Sequence, residues 1–332
     1  MRAVAWLGTT QPSFGLAAET LSRLVGVWMS KATLWRRHRE VAGQVERQLA
    51  EEERELTDWG TDAAEERERV KAQAALEEHA SVSIDGAMIR IEGEGYREVK
   101  IVSVSAVERG MPSATEGEVG RVEGQESLKL RRHSYRAVLG DKGRFEPGLR
   151  VELVRRRVMD AAQVTSVNDG AGWIWDLVGR YLPEERVEVL DWSHAVQNLA
   201  KAAVAAYGEG TPEAQAWLTE RKAELWAGRV AAVGGALLRL PRRRGDRGRQ
   251  IRNVQEYVSQ HASRMDYARF RAEGRPIGSG TVESGAKNVV QWRMKRGGQS
   301  WSSKGATRML AALGELHSGR WESTCSRLPK AA

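Results

Sequence analysis

Cysteine is almost absent from this sequence, in which Cys325 is the only one among 332 residues. A single thiol excludes an intrachain disulfide framework, a Cys-rich zinc site and a CxxC redox motif. Long apolar runs are also missing, because charged residues interrupt each hydrophobic stretch, and residues 1–8 lack the pattern of a signal peptide. We therefore expect a cytoplasmic protein without a membrane-spanning helix.

Positive charge is in slight excess, with 52 Lys and Arg against 44 Asp and Glu. The excess is concentrated: residues 242–252 carry six bases and one acid, and residues 275–308 carry seven bases and one acid. Outside these two segments the chain is slightly acidic, although its formal net charge is +8. Clustered cations are typical of proteins that bind the phosphate backbone of a nucleic acid.

Two helices separated by a glycine are predicted near the N-terminus. Apolar residues recur at helical spacing from Leu16 to Val25, Gly26 breaks the pattern, and Ser30 is a suitable N-cap for a second helix to about residue 45. This is the pattern of a helix-turn-helix motif, and a plain helical hairpin with a solvated basic face is an equal alternative. If the segment is a helix-turn-helix motif, four of its residues would reach DNA: Lys31, Thr33, Arg36 and Arg37.

A two-residue alternation begins near residue 81 and predicts strands over 81–91 and 99–107, joined by a turn at 92–95. A further strand is expected within 128–139, and two short strands at 164–167 and 187–190 are expected on either side of a helix over 171–181. Residues 193–272 contain no strand-like pattern and are predicted to be helical. The fold class is therefore α/β, a mixed sheet with helices on its faces.

Three carboxylates occupy positions that composition does not explain. Asp85 lies inside the first strand, where a carboxylate is unfavourable unless it is paired or faces a site. Asp169 follows a strand and precedes a helix, a usual place for ligand-binding groups, and Glu283 is the only acid between Arg275 and Arg308. Each alone has an ordinary explanation as a turn residue or as a helix N-terminal charge. Together they are the ligand type that two Mg²⁺ ions require for phosphodiester transfer.

Three sequence blocks resemble the ISKra-type transposases of bacterial insertion sequences. Residues 169–175 read DGAGWIW and residues 189–195 read VLDWSHA, similar to the DGAxWIW and LDxxHA motifs of that family. Residues 278–287 read GSGTVESGAK and match its GSGxxExxxK block, and Trp301 and residues 318–322 resemble the tail that follows. The resemblance covers most of the chain in the correct order.

The resemblance implies an RNase H-like DDE catalytic core, related to Mutator-type transposases, with a large all-helical insertion. It implies that Asp85, Asp169 and Glu283 form the catalytic triad and hold two Mg²⁺ ions, for which Mn²⁺ can substitute. The corresponding divisions are a helix-turn-helix unit at 1–50, a charged helical linker at 51–80, the first part of the core at 81–192, the insertion at 193–274 and the second part of the core at 275–325.

Several further residues receive supporting roles, some from the resemblance and some from their own position in the sequence. Asp191 also ends a strand and is the main rival of Asp169, but a DxxH pair after the second catalytic acid favours Asp191 and His194 as supporting groups. His194 is either a general base or a structural histidine. Lys287 lies one helical turn after Glu283 and could hold a phosphate. Three cations are expected to contact the DNA backbone, with a solvated basic helix as the alternative: Arg293, Lys295 and Arg296. Trp292 and Trp301 either stack on a nucleotide or, more simply, pack in a core.

The function implied is that of an insertion-sequence transposase, acting on double-stranded DNA at the element ends and the target as a homo-oligomer. The protein would then be associated with the nucleoid when bound. Members of the family typically have a Cys-containing segment before the helix-turn-helix, so we expect a shortened copy. The alternative is a DNA-binding remnant or regulator without catalytic activity.

Overall fold

The computed structural model describes residues 2–57, 77–112, 126–241 and 243–328. The chain divides into two compact units: unit 1 comprises residues 1–106, 131–162 and 280–332, and unit 2 comprises residues 107–130 and 163–279. The fold class is mixed α/β, with five strands in a mixed sheet and a predominance of helix. None of the described helices combines the length and the apolar composition that a membrane span requires.

Unit 1 begins with three helices, α1 (Arg2–Thr10), α2 (Phe14–Val25) and α3 (Lys31–Thr57). α2 ends at Gly26, whose φ of 71° is in the left-handed region that favours glycine. The Ser30 hydroxyl accepts a hydrogen bond from the backbone N–H of Thr33 at 3.1 Å and caps α3. The predicted pair of helices and the break between them are confirmed, although α3 extends well beyond residue 45. Most of the predicted charged linker, residues 58–76, lies outside the described residues.

The strands of unit 1 are β1 (His79–Ile91), β2 (Gly95–Pro112) and β3 (Glu126–Leu139). They are adjacent in the order β3-β2-β1. The last residues of β2 and the first residues of β3 are counted with unit 2. β1 and β2 are antiparallel and pair from Ala80 with Ala106 to Ile91 with Gly95. The turn predicted at 92–95 is confirmed. The alternation places Ile89, Ile91 and other residues of one face in a buried core.

The remaining elements of unit 1 cover this core. They are α4 (Lys142–Arg155), a short 3₁₀ helix (Val158–Asp160), α11 (Gly280–Gly285), a π-helical segment (Ala286–Gln291), α12 (Trp292–Met294), α13 (Ser303–His317) and α14 (Trp321–Arg327). The helices of this C-terminal part of the chain are interrupted at 295–302. There Trp301 exchanges backbone hydrogen bonds with β1, donating to Arg90 O at 3.1 Å and accepting from Glu92 N at 2.9 Å.

A buried ionic network joins three helices within unit 1. Arg155 on α4 donates hydrogen bonds to Glu52 on α3 at 2.8 Å and to Glu315 on α13 at 3.0 Å. Arg320 bonds both Glu315 and Glu152, and all three carboxylates in the network are buried. Apolar contacts between α3, α13 and α14 extend the same interface, so the N-terminal helices are an integral part of unit 1.

Unit 2 contains β4 (Gln163–Asn168) and β5 (Val187–Leu190), which are parallel, with α5 (Gly172–Tyr181) between them in the sequence. The structure confirms that the described part of 193–272 is helical. Its helices are α6 (Trp192–Tyr207), α7 (Pro212–Trp226), α8 (Val230–Leu238), α9 (Gly245–Gln260), a short 3₁₀ helix (Ala262–Arg264) and α10 (Tyr267–Ala272).

Candidate functional site

Two aspartates lie side by side at the carboxyl ends of the parallel strands of unit 2. Asn168 of β4 is in register with Leu190 of β5, and Asp169 and Asp191 are the next residues of each strand. The backbone N–H of Asp191 donates to the carbonyl oxygen of Asn168 at 2.7 Å, which holds the two strand ends together. The carboxyl ends of parallel strands are where open α/β sheets bind ligands.

The carboxylate of Asp191 is buried and fully engaged. It is the N-cap of α6: its Oδ1 accepts from the backbone N–H of His194 at 2.8 Å and contacts His194 Nδ1 at 3.0 Å. Its Oδ2 accepts from the backbone N–H of Ser279 at 2.6 Å and from the Ser279 hydroxyl at 2.9 Å. A carboxylate has about four lone-pair positions, so these four contacts leave Asp191 poorly suited to bind a metal ion.

The charge of Asp191 is stabilised despite its burial. Burial by itself raises the pKa of this carboxyl, but the hydrogen bonds from His194 and Ser279 outweigh that effect and hold the pKa below its ordinary value. Asp191 is therefore an ionised group that positions its neighbours.

His194 is oriented by Asp191 and about a third exposed, with 37% of its side chain accessible to solvent. Because an ionised Asp191 can only accept, the neutral imidazole donates from Nδ1, and its Nε2 retains a lone pair. A histidine held in this way by a carboxylate is suited to accept a proton or to bind a metal. This orientation is compatible with both roles that the sequence left open for His194, a general base and a structural histidine.

Asp169 differs from Asp191 in its environment. It is half-buried, and its Oδ1 accepts from the backbone N–H of Ala171 at 2.9 Å, which forms the turn into α5. The following Gly170 is required by a close approach, since a Cβ there would lie 2.1 Å from the Tyr257 ring. Asp169 is thus in the more accessible of the two carboxylate positions, beside an aromatic side chain of α9.

Tyr257 was not identified from the sequence, because a tyrosine inside a helical block carries no local signal. Its hydroxyl is buried, and although the side chain of Asn198 is close enough to lower its pKa slightly, the two do not form a hydrogen bond of normal geometry. Burial, and after it the nearby carboxylates of Asp169 and Asp191, raise the pKa of this hydroxyl well above its ordinary value. Tyr257 therefore stays protonated and can donate to an oxyanion beside the two aspartates.

Ser279 and Tyr267 also support the strand ends without having been identified from the sequence. The Tyr267 hydroxyl donates to the carbonyl oxygen of Leu190 at 2.9 Å, directly before Asp191. Ser279 lies inside the GSG block, so the resemblance marked its position but not its contact with Asp191.

Asp85 and Glu283 both belong to unit 1. Asp85 is half-buried on β1, where its Oδ1 accepts from the backbone N–H of Gly86 at 2.7 Å. Glu283 is exposed in the first turn of α11, and its neighbour Val282 packs in the same core cluster as Ile89 of β1. Lys287 is exposed in the π-helical segment that follows α11. Unit 1 thus carries two of the predicted triad residues, on elements that share one core, and unit 2 carries the third.

Most of the predicted DNA-contacting cations are on the surface. Lys31, Arg36 and Arg37 are exposed on α3, while Thr33 is half-buried and its hydroxyl contacts the Ser30 cap at 2.9 Å. Lys295 and Arg296 are exposed after α12. A cleft of about 440 Å³ on α3 is lined by one acid and several cations: Arg36, Arg39, Glu40, Gln44, Arg47 and Arg308.

Arg293 corrects the prediction of a continuous basic strip. It is only 1% exposed, and its guanidinium lies 4.6 Å from the ring centre of Phe14 and 5.2 Å from that of Trp301. The π-helical segment shifts the phase of the helix just before Arg293, which directs this side chain inward. Trp301 is half-buried against the core as expected, whereas Trp292 is 61% exposed.

Comparison with protein-family models and with curated protein sequences finds no match for this chain.

Proposed function

We propose that the protein is a DDE transposase of an insertion sequence, which cleaves DNA and transfers the strand in a Mg²⁺-dependent reaction. The observation that carries the proposal is the difference between the two aspartates at the strand ends of unit 2. Asp191 is saturated by hydrogen bonds, and Asp169 is the more accessible carboxylate beside it. This division of roles is the one that the family resemblance implies for a second catalytic acid and its supporting DxxH pair.

The donor set fits a hard divalent cation. Asp85, Asp169 and Glu283 offer carboxylate oxygens, the ligands that Mg²⁺ prefers, and no thiolate is among them. Two such ions, when bound, activate a water or a 3′-hydroxyl and stabilise the leaving oxygen. The proposal requires that Asp85, Asp169 and Glu283 belong to one RNase H-like catalytic core.

The other residues of the site would act directly on DNA. His194, with Nδ1 committed to Asp191, would accept a proton at Nε2, and Tyr257 would donate to a phosphate oxygen. Lys287 would bind a flanking phosphate, and the exposed cations of α3 would contact the duplex. Because the element ends are paired during transposition, the proposal includes a homo-oligomer on double-stranded DNA.

Cleavage of a supercoiled plasmid that carries the element ends tests this function. Asp169→Ala should abolish Mg²⁺-dependent nicking and strand transfer while DNA binding remains within about twofold, since the change removes a ligand and not a backbone contact. Asp246→Asn is the matched control, because Asp246 is an exposed aspartate of the same unit, 92% accessible and paired only with Arg249. Retained nicking in Asp169→Ala would refute the assignment.

A second candidate function, a non-catalytic DNA-binding remnant, is favoured by one observation. The cationic cleft of α3 is complete within unit 1 and does not depend on any triad residue. This function predicts salt-sensitive DNA binding by the wild-type chain with no Mg²⁺-dependent nicking. Measuring the binding and the nicking on the same DNA therefore distinguishes the two candidates.

A further inference from the structure

A cavity of about 440 Å³ in unit 1 combines aromatic rings with cations. It lies where α2, the first turns of α3 and the segment 298–309 meet, and all of its lining residues belong to unit 1. The side chains that matter are Phe14, Lys31, Trp35, Arg39, Arg293 and Trp301. Glu92 is the only carboxylate that lines it, and Arg308, also in the lining, is neutralised by Glu46 at 3.1 Å.

Arg293 is a buried cation that stacks on two aromatic rings but has no carboxylate partner among the described residues. It makes no ion pair with any residue in the described ranges, and its only hydrogen bonds are long ones of 3.4 Å to the carbonyl oxygen of Gly8. By contrast, the other buried arginines of the described residues, Arg155 and Arg221, each pair with two or more carboxylates. Burying a charge without a partner is unfavourable unless a ligand of opposite sign approaches it.

His38 lies beside Arg293 and does not supply a second charge. Burial, followed by repulsion from Arg293, lowers the pKa of His38 to about 3. The Thr9 hydroxyl donates to the carbonyl oxygen of Ala5 at 2.9 Å, so His38 Nε2, at 3.2 Å, donates to the Thr9 oxygen. His38 is therefore neutral and protonated at Nε2, and Arg293 is the fixed positive charge at the base of the cavity.

The rim of the cavity offers a flat aromatic surface and two cations that are exposed or half-exposed. Trp35 is 40% exposed, and the guanidinium of Arg39 lies 4.5 Å from its ring centre. Lys31 is exposed on the preceding turn of α3. An exposed indole beside cations is suited to stack on a nucleobase while the cations contact its phosphate.

We propose that this cavity binds a single unstacked nucleotide, with its base against Trp35 and its phosphate held by Lys31 and Arg39 in the field of Arg293. The nucleotide is either free in solution or the end of a DNA strand, and both have the same chemistry. The site is separate from the three acids of the proposed triad and does not depend on the transposase function.

Calorimetric titration of the full chain with dAMP, deoxyadenosine and inorganic phosphate tests the proposal. dAMP should bind with one site per chain, and deoxyadenosine should bind at least about tenfold more weakly because it lacks the phosphate. Arg293→Met should weaken dAMP and phosphate binding by about tenfold, and Trp35→Ala should weaken dAMP while leaving phosphate binding unchanged. Arg23→Met is the matched control, since Arg23 is an exposed cation of the neighbouring helix α2, pairs with Glu19 at 2.7 Å and does not line the cavity.

Two further variants test the proposal if Arg293→Met does not fold. Lys31→Met and Arg39→Met change exposed or half-exposed residues and should each weaken dAMP binding in a folded protein. A 5′-phosphorylated single-stranded oligonucleotide that competes more tightly than dAMP identifies a strand end as the ligand, whereas equal or weaker competition identifies a free nucleotide. The proposal is overturned if dAMP does not bind below about 1 mM, if deoxyadenosine binds equally well, or if the folded variants bind dAMP as the wild type does.

Discussion

Replacing Asp191 by Asn tests whether this residue positions the site or binds a metal. The substitution preserves the volume of the side chain but removes one acceptor and the negative charge. If Oδ1 continues to cap α6, the new amide N–H₂ faces the backbone N–H of Ser279, which loses its acceptor at 2.6 Å. The Ser279 hydroxyl can rotate and accept from the amide, so the unavoidable loss is one buried donor.

The expected cost follows from these contacts. A hydrogen bond to a charged group contributes about 1.5–3 kcal/mol, and a buried donor left unsatisfied costs about 1–3 kcal/mol. These two costs describe the same Ser279 N–H and are therefore not added. The bond from the His194 N–H to the capping oxygen also weakens, so we expect a total destabilisation of about 2–4 kcal/mol. Asp169→Asn should cost less than about 1 kcal/mol, since the half-buried amide oxygen can still accept from Ala171.

Urea unfolding of the wild type and both variants, followed by circular dichroism, measures these differences. Because the pKa of Asp191 is held below its ordinary value, the stabilisation is present above that value and is lost as the pH falls through the lowered pKa. The gap between wild type and Asp191→Asn should therefore narrow in acid. An Asp191→Asn protein within about 0.5 kcal/mol of the wild type at neutral pH, or an equal loss in Asp169→Asn, would refute the reasoning.

Three other predictions concern unit 1. Arg155→Met should destabilise the protein by about 3–5 kcal/mol in urea unfolding, because it removes the arginine that pairs with the buried Glu52 and one of the two arginines that pair with Glu315. A change below about 1 kcal/mol would contradict this. Burial raises the pKa of Glu315, but the charges of the neighbouring arginines outweigh this effect and lower that pKa. The stabilisation by the network is therefore present above the ordinary pKa near 4.5 and is lost as the pH falls. Parallel curves of stability against pH for the wild type and Glu315→Gln would argue against this prediction. Ser30→Ala removes the cap of α3 and should lower the free energy of unfolding by about 1 kcal/mol. It should also weaken DNA binding in a gel-shift titration if the first turn of α3 contacts DNA. Ser13→Ala, which removes the cap of α2 instead, is the control.

Local patterns predicted the secondary structure because they depend on neighbouring residues. The break at Gly26, the cap at Ser30 and the alternation from residue 81 each act over a few residues, and all three are present in the structure. The α/β class followed from the order of these elements. The interruption at 295–302 could not be predicted in this way, because it depends on the pairing of Trp301 with β1, far away in the sequence.

The candidate site, too, was predicted in part from local sequence patterns and depends in part on tertiary contacts. The sequence by itself determined that aspartates follow two short strands and that cations cluster in two segments, since strand ends and charge can be read from local composition. Only the tertiary structure decided that Asp191 is saturated, that Tyr257 lies beside both aspartates and that Arg293 is buried. Hydrogen-bond saturation, desolvation and the direction of a side chain depend on partners from other helices, and sequence spacing does not specify where those helices pack.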